Sequence, residues 1–309
     1  MKIKLTVLVL MVLSSVSYAQ QDAQYTQYMY NTIVVNPAYA GSRESMSIFA
    51  LHRAQWVGFD GAPVTNTFSI HTPIKDTHLG LGLSIVNDRI GPLTENNIAA
   101  DFSYTIPMSD NYKLSFGLKA SANLLNVDSS MFITYDTGDP RLQDYIDNKF
   151  SPNIGVGVYL HSNNTYFGLS APGLLETKHF DGTANSNSSS LTVTQRAHYY
   201  FIAGHIFDLN DDLKFKPSML AKMVQGAPMQ IDLSGNFLIN QKFTAGISYR
   251  WDAAISALVG FQASDSWFIG YSYDFDTSKL ANHNSGSHEI FLRYELFKKN
   301  DRIVSPRFF

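Results

Sequence analysis

The sequence contains no cysteine among its 309 residues. This absence excludes a disulfide-stapled scaffold, a thiol nucleophile, a cysteine-ligated metal and a lipid-modified N-terminal cysteine. Charged residues are also few, at 16% of the chain, and the formal net charge is only −3. A chain without a basic surplus lacks the electrostatic footprint of a nucleic-acid-binding protein. Several classes of enzyme and binding protein are therefore removed before any motif is considered.

Long hydrophobic runs are missing as well. The apolar run at 5–13 is too short for a membrane-spanning helix, which needs about 20 residues. It follows two lysines and precedes a small-x-small triplet at 17–19, which is the pattern of a secretory signal peptide. We therefore predict that residues 1–19 are a signal peptide and that the mature chain begins at Gln20.

The chain is instead rich in aromatic residues, at 13% of the total, and alternates with a period of two from residue 45 onwards. In 79–85, for example, leucines and an isoleucine alternate with Gly80, Gly82 and Ser84. Such alternation indicates strands with one apolar face and one small or polar face. In a soluble sandwich the apolar face packs inward, whereas in a transmembrane barrel it meets lipid, so alternation alone leaves both folds open.

The number and length of the strands favour a barrel. Many of the predicted strands have 9 to 12 residues or more, as tilted membrane strands require, and their even number is that of bacterial outer-membrane barrels. The alternation predicts fourteen strands, at 45–54, 64–74, 78–88, 94–107, 111–126, 151–161, 165–170, 196–209, 213–224, 229–239, 243–250, 252–262, 266–275 and 287–297.

The connections between these strands are sorted by length. Those after even-numbered strands are tight, whereas several after odd-numbered strands are long, at 55–63, 127–150, 171–195 and 276–286. Short turns at one end and long loops at the other are typical of outer-membrane barrels. We predict an all-β protein, with a transmembrane barrel of about 14 antiparallel strands at 45–297. The same sorting predicts that both termini and the tight turns are periplasmic.

An aromatic, amide-rich stretch at 20–44 precedes the barrel and a polar tail at 298–309 follows it. We predict that the stretch packs against the glycine-rich lumen wall or crosses the periplasmic mouth, closing the pore. Tyrosines would supply buried area and amides would supply hydrogen bonds. The candidate residues are Tyr25, Tyr28, Tyr30, Asn36, Pro37, Tyr39 and Gly41.

A second candidate group follows the first strand. Arg53, Gln55 and Trp56 either form a binding cluster or belong to a lumen-facing polar row with a tryptophan anchor at the membrane interface. Both interpretations remain open at this point.

Catalytic and metal motifs are not evident. The nine histidines are scattered and none has His-Glu-x-x-His spacing. His161-Ser162-Asn163 offers the residue types of an outer-membrane phospholipase, but the three are adjacent in a predicted tight turn, so this interpretation is disfavoured. We predict no enzymatic activity, no cofactor, no metal and no nucleic-acid partner.

Four short strings give the chain a resemblance to a known family. They are Gln-Tyr-Thr-Gln-Tyr-Met-Tyr-Asn at 24–31, Asn-Pro-Ala-Tyr-Ala-Gly at 36–41, Arg-Ala-Gln-Trp-Val-Gly at 53–58 and Gly-Ala-Pro-Val-Thr at 61–65. In this order they resemble the PorP/SprF family, outer-membrane proteins of the type IX secretion system in Bacteroidota. The resemblance extends from the signal peptide to the Pro-Arg-Phe-Phe terminus. It departs from the pattern at Ser305, where family tails often carry cysteine.

The resemblance implies a non-enzymatic barrel that assists the secretion or surface anchoring of specific cargo. The implied partners are the C-terminal sorting domain of a secreted adhesin, other type IX secretion and gliding components, and outer-membrane lipid. The alternative is a passive outer-membrane channel or porin, which the sequence does not exclude.

Overall fold

The computed structural model describes residues 23–43, 45–128, 146–178 and 194–296. The predicted signal peptide, the tail at 298–309 and most of the loops 127–150 and 171–195 lie outside the described residues. None of the helices in the described ranges combines the length and the apolar character needed to cross a membrane.

Strands dominate the described chain. They are β1 (Met46–Ala54), β2 (Val64–Pro73), β3 (Leu79–Ile90), β4 (Leu93–Pro107), β5 (Lys113–Val127), β6 (Ile146–His161), β7 (Thr165–Ala171), β8 (Thr177–Lys178), β9 (Thr194–Gln195), β10 (His198–His205), β11 (Phe207–Asn210), β12 (Leu213–Val224), β13 (Gln230–Ile239), β14 (Phe243–Arg250), β15 (Ala254–Gln262), β16 (Trp267–Asp276) and β17 (Ser287–Leu296). Helical structure is limited to one α-helical turn, α1 (Thr32–Val35), and 3₁₀ turns at Tyr28–Tyr30, Pro37–Tyr39 and Lys279–Asn282.

The sheet closes on itself as an antiparallel barrel of fourteen strands. Closure occurs where β1 pairs with β17, in a register that joins Met46 to Leu296. On the far side β10 pairs with both β7 and β12. β11 continues β10 beyond Ile206 along β12, and β8 pairs with β9 as a separate ribbon. The prediction of a barrel of about 14 antiparallel strands is confirmed.

Strand boundaries follow the predicted ones closely, with two informative differences. The sixth strand begins at Ile146, five residues before the predicted start at 151, because β6 extends its pairing with β5 as far as Val127. The eighth predicted strand, 196–209, is interrupted at Ile206, whose backbone N–H donates to Asn164 in a neighbouring turn instead of continuing the ladder.

The apolar face of the sheet turns outward. Leu81, Leu83 and Ile85 are 40–45% exposed, whereas Gly80 and Ser84 on the opposite face of the strand are buried. Large exposed apolar side chains recur in this way on most of the barrel strands. A soluble protein does not expose apolar surface on this scale, so the outer face is the lipid-facing wall of a transmembrane barrel.

The two ends of the barrel differ. One end, which we call the turn end, carries the tight connections 74–78, 108–112, 162–164, 211–212, 240–242 and 263–266. The opposite end, the loop end, carries 55–63 and the other longer connections. In one tight turn Asn240 and Gln241 have φ of 51° and 55°, the left-handed backbone conformation that a turn matching the strand twist requires at its central residues. β1 begins and β17 ends at the turn end.

Candidate functional site in the barrel lumen

The N-terminal segment, residues 23–43, lies inside the barrel and runs along its length. Near its start, the side-chain nitrogen of Gln24 donates to Gln230 at 2.8 Å, where β13 begins at the loop end. Near its finish, the backbone N–H of Gly41 donates to His71 at 3.2 Å, close to the turn end of β2. Almost every side chain between these points is buried.

The prediction that both termini are periplasmic stays a prediction, but the two ends of the described chain lie at opposite ends of the barrel. Gln24 lies at the loop end, whereas Leu296, the last residue of β17, lies at the turn end. Strand parity predicts where β1 starts but carries no information on the direction of a segment that is not part of the sheet. The direction is set by buried partners of the segment near the loop end.

Two buried carboxylates hold the start of the segment. The backbone N–H groups of Thr26 and Gln27 donate to the two carboxylate oxygens of Glu289 at 3.0 and 2.9 Å. The Thr26 hydroxyl donates to Asp274, with its two oxygens at 2.9 and 2.7 Å. Arg53 pairs with Asp274 at 2.7 Å and Glu289 at 3.1 Å and also donates to the Thr26 hydroxyl at 3.0 Å. Arg53, a predicted candidate, therefore joins the wall to the segment.

A second buried pair lies beside the first. The guanidinium of Arg250 pairs with Asp232 at 2.9 Å and donates to the backbone carbonyl of Tyr25 at 3.3 Å. The Tyr25 hydroxyl lies 3.0 Å from that of Thr67 on β2. Tyr25 thus contacts the wall at two separate strands.

Aromatic packing fixes the middle of the segment. The ring of Tyr30 packs on Phe268 and Phe291, with centroids 5.4 and 4.8 Å away. Lys216 and Arg293 lie 5.5 and 5.8 Å from the same ring centroid, within cation–π range. The inward positions of β17 are polar except at Phe291, where the ring packs against Tyr30.

Asn36 and the residues after it approach the wall at glycines. The Asn36 side chain accepts from the backbone N–H of Ala38 at 3.0 Å, capping the turn Pro37–Tyr39, and donates to the Val158 carbonyl at 3.1 Å. A Cβ on Gly157 would lie 2.1 Å from Asn36, and one on Gly117 would lie 2.1 Å from Ala38. Only glycine allows this approach.

The segment leaves the lumen through a tight bend near the turn end. Tyr39 packs edge-on against His71 and Tyr159, with centroids 5.3 and 5.5 Å away. Gly41 has φ of 72°, and a Cβ on it would lie 2.8 Å from the Gly80 Cα. Both the backbone conformation and the close approach therefore require glycine at position 41.

Further buried ion pairs lie between the middle of the lumen and the turn end. Arg43 at the end of the segment pairs with Glu295, and its guanidinium donates to the Tyr39 hydroxyl at 3.4 Å. Lys119 pairs with Asp101 at 3.0 Å and donates to the Ile33 carbonyl at 3.4 Å. Wall charges therefore reach the segment at its start, middle and end.

The remaining predicted residues occupy different places. Tyr28 is buried among the apolar residues of the segment and wall. Gln55 and Trp56 lie at the rim of the loop end, where they line a cavity of about 100 Å³ together with Gln24 and Arg53. The Trp56 backbone N–H donates to the Ser287 hydroxyl at 3.2 Å. Arg53 thus behaves as a lumen-facing polar residue, whereas Gln55 and Trp56 belong to the rim.

Sequence reasoning did not single out the carboxylates that hold the segment. Asp232, Asp274 and Glu289 all occupy inward positions of their strands, between outward apolar residues. Charge at an inward position was the available signal, but it does not show which charges meet across a lumen.

Within the described residues, no group of three or more His, Asp or Glu side chains could hold a metal ion. The Ser162 hydroxyl accepts from the Thr165 backbone N–H at 3.0 Å, and the His161 ring stacks on Tyr159 with centroids 5.1 Å apart. Ser162 and His161 therefore serve a tight turn and its packing.

A family model described as type IX secretion system membrane protein PorP/SprF matches residues 17–294. No curated protein matches the chain. Among solved structures, the chain is similar to the CymD monoaromatic hydrocarbon channel (TM-score 0.49, 13% identity, 89% of this chain and 94% of that one). It is also similar to the outer membrane protein Omp33 of Acinetobacter baumannii (TM-score 0.47, 7% identity, 82% of this chain and 98% of that one).

Proposed function

Because this chain belongs to the PorP/SprF family of type IX secretion system membrane proteins, we propose that it is a plugged barrel that assists the secretion or surface anchoring of a specific cargo protein. It is a membrane component of that secretion system, located in the outer membrane. The proposed cargo partner is the C-terminal sorting domain of a secreted adhesin, with other secretion and gliding components and outer-membrane lipid as further partners. The proposal includes no catalysis and no cofactor.

One observation supports an anchor over a channel, namely the N-terminal segment held in the lumen by buried charges. A barrel of fourteen strands leaves a lumen unless something fills it. Here Thr26, Gln27 and Arg43 bind wall carboxylates, and the rings of Tyr30 and Tyr39 pack on wall aromatics. Removing one partner of a buried ion pair costs about 3–5 kcal/mol. A segment held by several such contacts keeps the lumen closed in the resting protein.

The orientation we propose puts the turn end in the periplasm and the loop end outside the cell, as in other outer-membrane barrels. Gln24 then lies near the outer mouth. The described start of the segment then faces outward. Of the two ends of the described chain, only the end of β17 would lie on the periplasmic side.

The loop end is the surface that we propose for cargo. It carries the long connections, and loops carried on a rigid barrel are the usual place for recognition. Gln55 and Trp56 lie at its rim, and Gln24 of the segment lines the same cavity. The wall and the segment thus present one surface to the outside.

Affinity purification tests this function. A tag is placed within loop 171–195 and the barrel is purified from solubilised outer membranes, with the same tag in the turn 108–112 as the matched control. We expect mass spectrometry to recover a large secreted adhesin or type IX components in both preparations, with less cargo when the tag occupies the loop end. A barrel that carries no secretion partner in either preparation would contradict the anchor and favour a passive channel, which bilayer conductance of the intact protein would then reveal.

A further inference from the structure

The outer wall of the barrel has a groove centred on a small residue. Ala50 on β1 faces outward and is paired with Leu292 on one side and Phe68 on the other. The next outward residues in the same row are Ile269 and Ile85. All four neighbours are large, apolar and 40–43% exposed. The missing bulk at Ala50 leaves a groove of about 560 Å³ across β16, β17, β1, β2 and β3.

The groove ends toward the loop end at a row of polar side chains. His52, Asn66, Asn87 and Asn96 lie side by side on β1 to β4 and point outward. They form a chain of hydrogen bonds, of 2.8 Å from His52 to Asn66, 3.4 Å from Asn66 to Asn87 and 2.8 Å from Asn87 to Asn96. A polar row on a lipid-facing wall is costly unless it is hydrogen-bonded.

The chain of hydrogen bonds leaves capacity at both of its ends. Within the described residues, the second ring nitrogen of His52 and the amide nitrogen of Asn96 make no hydrogen bond. An amide hydrogen that has no acceptor in the wall is satisfied by an acceptor outside it, such as an ester or amide carbonyl. The row therefore favours a ligand with neutral oxygen acceptors at this depth.

A cation lies one step further toward the loop end. Arg89 follows Asn87 by two residues on β3, so it shares the outward face, where it is paired with Val64 and Thr94. Its side chain is exposed, and it makes no ion pair within the described part of the chain. Successive outward residues are about 7 Å apart along a strand. Toward the loop end, the wall therefore presents first the apolar groove, then the amide row and then the guanidinium of Arg89.

We propose that this groove binds one phosphate-bearing lipid of the leaflet at the loop end. An acyl chain lies along Ala50, the carbonyl oxygens of its linkage accept hydrogen bonds from the amide row, and the phosphate pairs with Arg89. The order of these three surfaces is that of a lipid molecule standing in the bilayer. A protein segment in the groove would have no reason to match that order. The proposal is independent of the cargo function.

Native mass spectrometry of the intact barrel tests the proposal, with lipid A added as the probe and dephosphorylated lipid A as the matched probe. Three variants address the three surfaces. Ala50→Phe fills the groove, Asn87→Leu breaks the amide row and Arg89→Gln removes the charge. A charge-assisted contact to phosphate is worth about tenfold in affinity, so Arg89→Gln should bind lipid A about tenfold more weakly. Ala50→Phe should retain no lipid, and Asn87→Leu should lie between them.

Two control variants match these changes away from the groove. Ala257→Phe enlarges an outward alanine on β15, between Ile247 and Tyr273. Lys242→Gln removes an exposed cation at the turn end. Both should bind lipid A as the unchanged protein does, and all variants are checked for folding by heat-dependent gel mobility. Since Arg89 is exposed and makes no ion pair in the described residues, its replacement leaves packing intact.

Specific outcomes would overturn the proposal. Equal binding of lipid A and its dephosphorylated form, or an unchanged affinity in Arg89→Gln, would remove the phosphate assignment. Equal lipid retention in Ala50→Phe and Ala257→Phe would show that the groove is not the lipid-binding site. A protein chain that co-purifies and is lost only in Ala50→Phe would identify a protein occupant instead of a lipid.

Discussion

The backbone N–H of Thr26 lies 3.0 Å from the carboxylate of Glu289, so the start of the N-terminal segment is hydrogen-bonded to the last strand of the barrel. The two residues are 263 positions apart in the chain. Glu289 is fully buried and also accepts from Gln27 and Arg53. The closed lumen therefore depends on contacts between the first part of the described chain and the last strand of the barrel.

Replacing Glu289 with glutamine should loosen the start of the segment. The amide keeps the shape of the side chain but loses the charge that balances Arg53, and its NH₂ group faces backbone donors. Breaking a buried pair on one side costs about 3–5 kcal/mol, so amide hydrogens of 24–30 should exchange at least tenfold faster. Hydrogen exchange followed by mass spectrometry measures this, with Asp60→Asn at the exposed rim as the control. Equal protection in both variants would show that Glu289 does not hold the segment.

Deleting residues 21–42 should raise the ion conductance of the barrel in planar bilayers. The segment occupies the lumen along its length, and its removal leaves a wall lined by polar and charged side chains. The unchanged protein should conduct little, whereas the deletion should give stable open channels. Gel mobility with and without heating checks that the barrel still forms. A folded deletion variant with unchanged conductance would contradict closure by the segment.

The strands were accessible from the sequence because each alternates independently of the others. Residues 213–224 and 243–250 are predicted to the residue, since their outward positions are apolar and most of their inward positions are small or polar. This alternation arises from the two environments of the wall, lipid and lumen, and not from contact with a particular partner residue. Turn length then sorts the connections to the two ends of the barrel, and an even number of strands is what a closed bacterial barrel requires.

The lumen was only partly accessible for the opposite reason. Glycines at 80, 82 and 157 indicated that something packs closely inside, and the structure brings Ala40, Ile33 and Asn36 against them. The direction of the segment was not accessible from the sequence, because it depends on pairs such as Thr26 with Glu289, which are distant in sequence. A non-repeating segment carries no periodicity that would reveal its partners.

Substituting Gly117 with valine should displace the segment from the wall. A Cβ at this position would lie 2.1 Å from the backbone nitrogen of Ala38, and backbone atoms cannot move aside as a flexible side chain does. Overpacking of this kind costs about 1–3 kcal/mol, and we expect conductance to rise toward that of the deletion. Gly235→Val is the matched control, because a Cβ there meets only the ring of Phe215 at 3.2 Å. Closed, equally stable channels in both variants would count against close packing at Gly117.

The direction of the N-terminal segment can be tested with single cysteines, since the chain has none of its own. Ala23→Cys lies near the loop end, Asp60→Cys lies in a loop of the same end, and Asp110→Cys lies in a tight turn of the opposite end. A membrane-impermeant maleimide added to intact cells should label the first two and leave Asp110→Cys unlabelled until the outer membrane is permeabilised. The loop cysteine reports the orientation of the barrel, and Ala23→Cys reports the segment. Labelling of Asp60→Cys but not of Ala23→Cys would mean that the segment does not reach the outer mouth. Labelling of Asp110→Cys alone would show that the barrel has the opposite orientation in the membrane.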